Sequence, residues 1–296
     1  MKRVLFIANP VSGTRSKSRF LESLRQTMSS TSVDWSLELT EYPGHATELA
    51  SKAANDGIDI VVAVGGDGTV NEVARGLIDS STALGVIPFG SGNGLARDLG
   101  VPLKPERALS YILDNIEISS RIDCCEINGE RFFCTSGVGY DARVSADYAR
   151  RNQEGHRGLI TYVRAAIRKW FEDKTRRITI KFDDENAVEI DSLLVTFANA
   201  SQYGNDAFIA PRASMRDGLI DVVVIKPISI WSVPRLVVQL FRRNVDKNRH
   251  VEVRRAKKAV FTTANDEPFH FDGENGQPSS RFEVKIHPAA LNVVGE

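Results

Sequence analysis

Three glycine-rich turns in the first hundred residues hold the groups best suited to binding phosphate. They are Asn9-Pro10-Val11-Ser12-Gly13, Gly65-Gly66-Asp67-Gly68-Thr69 and Gly90-Ser91-Gly92-Asn93-Gly94. Each follows a short apolar run, and the second and third open segments with helical spacing. Glycine at such a turn lets an anion approach the main chain, where unpaired N–H groups and the positive end of the helix dipole face it. No Lys-Ser/Thr pair closes a loop as a Walker motif requires, and the G-x-G-x-x-G spacing with its distal acid is missing. Taken singly, each turn is also an ordinary strand-to-helix connection. Three in register, with Asp67 set between glycines, point to a phosphate-bearing ligand. Farther along, Asp217-Gly218 reads by itself as a hairpin turn and Asp272-Gly273-Glu274 as a solvated turn.

The elements that must position these turns change character along the chain. Strands are expected at Val4–Ala8, Ser36–Thr40, Ile58–Val64 and Ala83–Pro88, alternating with helices at Lys17–Met28, His45–Asp56 and Asn71–Ile78. Ile58–Val64 is a continuous β-branched run, the pattern of a strand covered on both faces. The alternation implies βαβ units and a parallel sheet, with the glycine turns on its carboxyl rim, where open α/β sheets bind ligands. The rhythm stops near residues 120–127. Shorter strands follow at Arg131–Thr135, Arg177–Phe182, Leu193–Ala198, Leu219–Ile225, Val251–Arg255, Lys257–Thr262 and Glu283–His287, interrupted by helices at Gly158–Glu172 and Ser229–Arg243. The expected fold is a parallel α/β domain over 1–123, then an antiparallel, β-sandwich-like domain over 124–296. The extreme C-terminus is expected to return to the first domain, and the cleft between the two is the default site.

Composition narrows the functional classes. The chain of 296 residues is 42% hydrophobic and 26% charged, enough apolar material for two cores. Its 38 basic and 38 acidic residues cancel, so no global field argues for nucleic acid. Cys124, Cys125 and Cys134 have neither metal-ligand spacing nor a disulfide pattern, which suits a reduced, cytoplasmic setting. No stretch approaches the ~20 apolar residues of a spanning helix.

Five separated motifs then converge. Asn9-Pro10-x-Ser12-Gly13, Gly65 through Asn71-Glu72-Val73, Pro88-x-Gly90-Ser91-Gly92-Asn93, Asp217-Gly218-Leu219 and Asp272-Gly273-Glu274 stand in an order that resembles the diacylglycerol kinase catalytic family, which includes sphingosine, ceramide and bacterial soluble lipid kinases. The resemblance implies ATP-dependent transfer of a phosphoryl group to a lipid hydroxyl, with Mg²⁺. It assigns the nucleotide to Asn9, Ser12, Gly13, Thr40, Gly65, Gly66, Asp67, Gly68, Thr69, Val70, Asn71, Glu72, Ser91 and Asn93. Asp67 would act at the phosphate–Mg²⁺ centre. Ser214, Asp217 and Leu219 would hold a structural Mg²⁺, the first and last through carbonyls, and Asp272 and Glu274 would activate the acceptor. Elementary chemistry agrees: hard cations take carboxylates and carbonyls, and phosphoryl transfer needs positioning, charge neutralisation and a proton acceptor.

The chain departs from the family pattern at Gly94, where many bacterial members carry an acid; Asp98 stands one turn later. Gly-Ser-Gly-Asn is nearer the sphingosine and ceramide kinase version. Arg150–Arg177 and Trp231–Arg243 alternate basic and apolar residues, which suits either ordinary amphipathic helices or peripheral contact with a membrane that presents the substrate. Two other readings stay open: a kinase of a soluble acceptor such as NAD, and a nucleotide-binding regulator without transfer activity. A homodimer is kept as an open expectation.

Overall fold

Uninterrupted apolar runs make the centre of the first half. The computed structural model describes residues 1–10, 17–140, 142, 143 and 176–295. Contacts divide the chain into one unit of Met1–Asp123 with Ala289–Glu296 and another of Cys124–Pro288. The expected helix at Gly158–Glu172, together with Ser12 and Gly13, lies outside the described residues.

In the first unit β1 (Arg3–Ala8), α1 (Lys17–Ser29), β2 (Asp34–Leu39), α2 (His45–Asn55), β3 (Ile60–Gly65), α3 (Asp67–Leu77) and β4 (Ala83–Pro88) alternate as the periodicity predicts. The strands lie side by side in the order β2-β1-β3-β4, all parallel. Every residue of β3 and β4 is buried, which explains their lack of polar alternation. Two further helices, α4 (Gly94–Asp98) and α5 (Pro105–Asp114), follow. Helix α2 turns Ala46, Ala50 and Ala53 inward. Opposite them Gly76 of α3 sits so close that a Cβ would come within 2.6 Å of the Thr47 carbonyl oxygen.

The chain passes to the second unit along β5 (Ser119–Ile127), where the sequence rhythm breaks. There follow β6 (Glu130–Phe132), β7 (Thr135–Gly139), β8 (Arg176–Phe182), β9 (Val188–Ser192), β10 (Leu194–Ala198), β11 (Ile220–Ile225), α6 (Val233–Phe241), β12 (Val251–Ala256), β13 (Lys258–Glu267), β14 (Phe269–Phe271), β15 (Glu274–Asn275) and β16 (Ser279–Val294). One antiparallel layer runs β16-β13-β8-β9 and the other β12-β11-β10-β7-β14-β15. Phe197 and Phe269 from the second layer meet Phe261 and Phe282 from the first, with ring centroids 5.5 to 6.4 Å apart. The expected architecture, parallel α/β followed by an antiparallel β-sandwich-like domain, is the one observed. Both faces of β11 are buried, one by the sandwich and the other by a cluster that includes Leu236 of α6.

The last strand is far longer than the expected Glu283–His287. It alternates buried and exposed from Arg281 to Ile286, breaks at Pro288 and Ala289, and becomes almost wholly buried from Ala290. Its first half pairs with β13, whereas Asn292 and Val293 join β4 in parallel. A strand that changes from one covered face to two loses its period-2 signal midway, so the spacing marked only half of it.

Gly76→Val forces α2 and α3 apart because main-chain atoms block the added carbons. It is expected to lose about 1–3 kcal/mol in urea unfolding. Gly68→Ala, where no atom of the described residues stands within 4 Å of the new carbon, should lose nothing. Equal effects at both positions would refute this packing.

Candidate functional site

The rim above β3 and β4 is held together by one carboxylate. Asp67 opens α3 directly after β3, while loop three follows β4. Asp67 Oδ2 accepts the Asn93 N–H at 3.0 Å and Oδ1 accepts the Gly94 N–H at 2.8 Å. The loop folds tightly enough for this because Gly90 and Gly92 lack side chains: a Cβ would fall 2.8 Å from Asn93 Oδ1 and 3.0 Å from Asp67 Oδ2, respectively. Asn93 adopts a left-handed backbone, φ 52°, and its Nδ2 donates to the Gly90 carbonyl at 2.9 Å.

This arrangement divides labour between the loops. Two main-chain donors of loop three are committed to Asp67. Helix α3 instead starts at Gly66 with no side-chain cap, so its first-turn N–H groups keep their capacity for an anion. Among the described residues, nothing stands within 4 Å of a carbon added at Gly68. Asn71, one turn along, is buried, and its Nδ2 has no partner among the described residues. Such an orphan donor fits an oxygen acceptor.

The other expected nucleotide residues fall into different settings. Asn9 and Thr40 follow β1 and β2, and the Thr40 N–H donates to the Ala8 carbonyl at 3.0 Å. Ser91 is exposed in loop three. Val70 and Thr69 are buried. Glu72 Oε2 accepts the Ala46 N–H at 3.2 Å, and its carbonyl accepts the Thr47 hydroxyl at 2.8 Å. Glu72 therefore ties α3 to the start of α2.

Ser214, Asp217 and Leu219 share one turn ahead of β11. Asp217 Oδ1 accepts the Leu219 N–H at 3.1 Å, and Ser214 Oγ accepts the Arg216 N–H at 3.3 Å. Among the described residues no three His, Cys, Asp or Glu side chains group closely enough to hold a metal. A cation here must accordingly draw on main-chain carbonyls, and one carboxylate with carbonyl oxygens is a donor set that fits Mg²⁺. Two neighbours bear on this turn. Arg255 places Nη1 3.7 Å from Asp217 Oδ2 and Nε 3.3 Å from Asp221 Oδ1, and donates from Nη2 to the Arg212 carbonyl at 2.7 Å. Asp221 is buried, and its Oδ2 has no partner among the described residues. Burial pushes its carboxyl above the ordinary range against the pull of Arg255, and the Asp217 charge adds to the push.

The turn at Asp272 is a hairpin. Asp272 and Gly273, with φ 50° and 87°, form a two-residue loop between β14 and β15, with Phe271 opposite Glu274. Asp272 folds back into its own unit: Oδ2 accepts the Phe133 N–H at 2.7 Å, and Oδ1 accepts those of Cys134 and Thr135 at 2.9 Å. Three main-chain donors on one carboxylate make it an anchor, and Glu274 is the half-buried acid that the anchor positions. Strand register places both turns at one end of the six-stranded layer. Arg255 pairs with Asp221, Asp221 with Ala198, Ala198 with Thr135, and the Thr135 carbonyl accepts the Asp272 N–H. Asp221 and Asp272 are thus three strand spacings, roughly 14 Å, apart.

Residues 3–127 match the diacylglycerol kinase catalytic domain and residues 135–295 match the YegS C-terminal NAD kinase beta sandwich-like domain. The chain belongs to the diacylglycerol kinase catalytic family, with its YegS-type sandwich behind the α/β domain. Among its relatives, the diacylglycerol kinase of Bacillus subtilis (strain 168) is 28% identical over 280 residues, covering 93% of this chain and 91% of the relative. A "Probable lipid kinase YegS-like" of Yersinia pestis (strain Pestoides F) is 27% identical over 263 residues, covering 86% and 85%. A crystal structure from Bacillus anthracis str. Sterne that bears the diacylglycerol kinase name aligns over 100% of this chain and 95% of its own, with TM-score 0.84 and 23% identity. An NAD kinase from Archaeoglobus fulgidus in complex with ATP shares the fold more distantly, with TM-score 0.53 and 13% identity over 99% and 93%. Membership of a kinase family implies ATP use.

Sequence reasoning passed over Lys17, Asp221 and Arg255. A charge inside the apolar run Ile220–Ile225 was the available signal for Asp221; Arg255 needed strand register. Lys17 begins α1, is buried, donates to the Asn9 carbonyl and lies 5.3 Å from the Phe89 ring centroid. Burial lowers its ammonium to about 8 from the ordinary 10.5. The unfolded chain holds that proton to higher pH, so above about pH 8 the folded state binds fewer protons and Lys17 becomes less costly. Any stability advantage of Lys17→Met over wild type in urea unfolding should therefore shrink between pH 7 and pH 10, by an amount on the order of 1 kcal/mol. A difference constant across that range would contradict a burial-shifted Lys17.

Proposed function

We propose that this protein transfers the γ-phosphoryl group of ATP to the hydroxyl of a lipid. The observation that carries the reading is the rim above β3 and β4, a helix start that is uncapped and open over Gly68 among the described residues and is braced by Asp67. In this reading the first-turn donors of α3 receive phosphate oxygens, Asn71 supplies a further donor, and Asn9, Thr40, Ser91 and Asn93 bound the nucleotide. Ser12 and Gly13 belong to the same expectation. Asp217, with carbonyls of Ser214 and Leu219, would hold a structural Mg²⁺, and Mg²⁺ accompanying the ATP phosphates would supply charge neutralisation.

Glu274 takes the proton of the acceptor hydroxyl. The acceptor oxygen forms a bond to the γ-phosphorus as the bond from that phosphorus to the ADP oxygen breaks, and ADP leaves with those electrons. Asp272 is a positioning residue, because its oxygens already serve three N–H groups. The names of the Bacillus subtilis and Yersinia relatives support a lipid acceptor over NAD. The NAD kinase likeness concerns fold alone.

The test is transfer of labelled phosphate from ATP, with Mg²⁺, to diacylglycerol, sphingosine, ceramide or phosphatidylglycerol in micelles, and to soluble NAD. Turnover of a lipid is expected; turnover of NAD alone would overturn the proposal, and no turnover of any acceptor would favour a regulator. Glu274→Gln should lower the rate on the active lipid by ~10²–10⁴ and leave unfolding unchanged. Asp272→Asn should also cost about 1–3 kcal/mol in unfolding, since its amide would point N–H at N–H. Full activity of Glu274→Gln would remove Glu274 from the proton-transfer role.

A further inference from the structure

Helix α6 is apolar on both sides. Its inner side contributes Leu236, buried against the cluster that covers β10 and β11, with Leu240 partly buried beside it. Its outer side presents Trp231, 89% exposed in the turn before the helix, then Pro234, Val238 at 48% and Phe241 at 36%, with Ile230 exposed alongside. Positions 231, 234, 238 and 241 follow the three-and-four spacing that makes a single helical stripe. An exposed apolar stripe of this kind on a helix already packed by its other side marks an interaction surface.

The charges around the stripe indicate what covers it. Lys226–Val245 contains Lys226, Arg235, Arg242 and Arg243 and no acid. Lys226 pairs with Glu252 at 2.9 Å, and Arg243 stacks over the Phe208 ring at 3.9 Å. Arg235 and Arg242, exposed on the outer side, have no ion pair among the described residues. Segment 144–175 of this chain carries seven Lys or Arg against four Asp or Glu, a net positive charge that makes it a poor electrostatic match. Aromatic and aliphatic side chains flanked by unopposed arginines fit the interface of a bilayer with anionic headgroups.

We infer that the outer face of α6, with Trp231 as its most exposed anchor, docks the protein on anionic membrane surfaces. This rests on the lipid-acceptor reading above and adds the place where the protein meets the bilayer. Long basic side chains keep their charged ends at the headgroups while Trp231, Val238 and Phe241 enter the apolar boundary.

The full chain carrying Trp35→Phe and Trp170→Phe makes Trp231 the sole emitter. Vesicles of phosphatidylcholine alone, and with phosphatidylglycerol, are then added. Trp231 emission should shift to the blue with the anionic vesicles and be quenched by brominated acyl chains. Trp231→Ala/Phe241→Ala in the native background should weaken sedimentation with vesicles by about tenfold or more. Arg235→Glu/Arg242→Glu should do likewise, and added salt should weaken wild-type binding. All variants should keep the wild-type rate on acceptor dispersed in detergent. Unchanged emission, equal vesicle binding by the variants, or a Trp231-dependent dimer in sedimentation velocity that excludes vesicles would each overturn the docking face. Vesicle docking through Trp231 without lipid turnover by wild type would leave the docking face standing and remove the lipid kinase reading. Turnover in detergent without docking would do the reverse.

Discussion

Everything at the rim above β3 and β4 depends on how the Asp67 carboxylate is used. Both of its oxygens are occupied by the N–H groups of Asn93 and Gly94. That joins the turn after β3 to the turn after β4, two strands that pair along their whole length. A charged acceptor makes such hydrogen bonds stronger than neutral ones, and removing it would leave the Asn93 and Gly94 N–H groups without their acceptor. The glycines of loop three follow from the same constraint, because a side chain at Gly90 or Gly92 would meet Asn93 or Asp67. The main-chain donors left uncommitted at this rim are then concentrated at the start of α3. One negative side chain spends its charge on bracing, so it opposes an incoming anion less than an unpaired carboxylate would.

The second unit repeats this logic with Asp272. A two-residue hairpin puts an acid where its oxygens reach the N–H groups of Phe133, Cys134 and Thr135. The neighbouring Glu274 gains a fixed place on the ladder. At the other side of the same sheet end, Arg255 spans Asp217 and Asp221. A buried carboxylate with one oxygen unpartnered is costly unless charge is supplied nearby, and this guanidinium supplies it. Cys124, by contrast, is pushed up to about 12 by burial, so this thiol belongs to the packing and takes no part as a thiolate.

Much of this was legible in the residues. The βαβ rhythm, the glycine turns and the change to short strands gave the two architectures, because each depends on local spacing. Less legible were features set by contacts distant in sequence. The roles of Asp67 and Asp272 as braces depend on partners 26 and 139 residues away. Glu72 reads as part of the nucleotide loop, yet its carboxylate holds the start of α2. The terminal strand was seen only where it alternates, and the helical spacing of Lys17–Met28 gave no sign that Lys17 itself is buried. Helix α6 was visible as amphipathic, but only packing reveals that its buried side is the narrower one.

The most direct measurement is hydrogen exchange at the Asn93 and Gly94 amides, in wild type and in Asp67→Ala, combined with titration of ATP and Mg²⁺. The predicted result is strong protection of both amides in wild type, without nucleotide. Loss of that protection should accompany a fall in ATP affinity in Asp67→Ala. Wild-type amides that exchange as fast as an open loop, or an Asp67→Ala protein that binds ATP as tightly as wild type, would contradict the claim that this carboxylate builds the nucleotide rim.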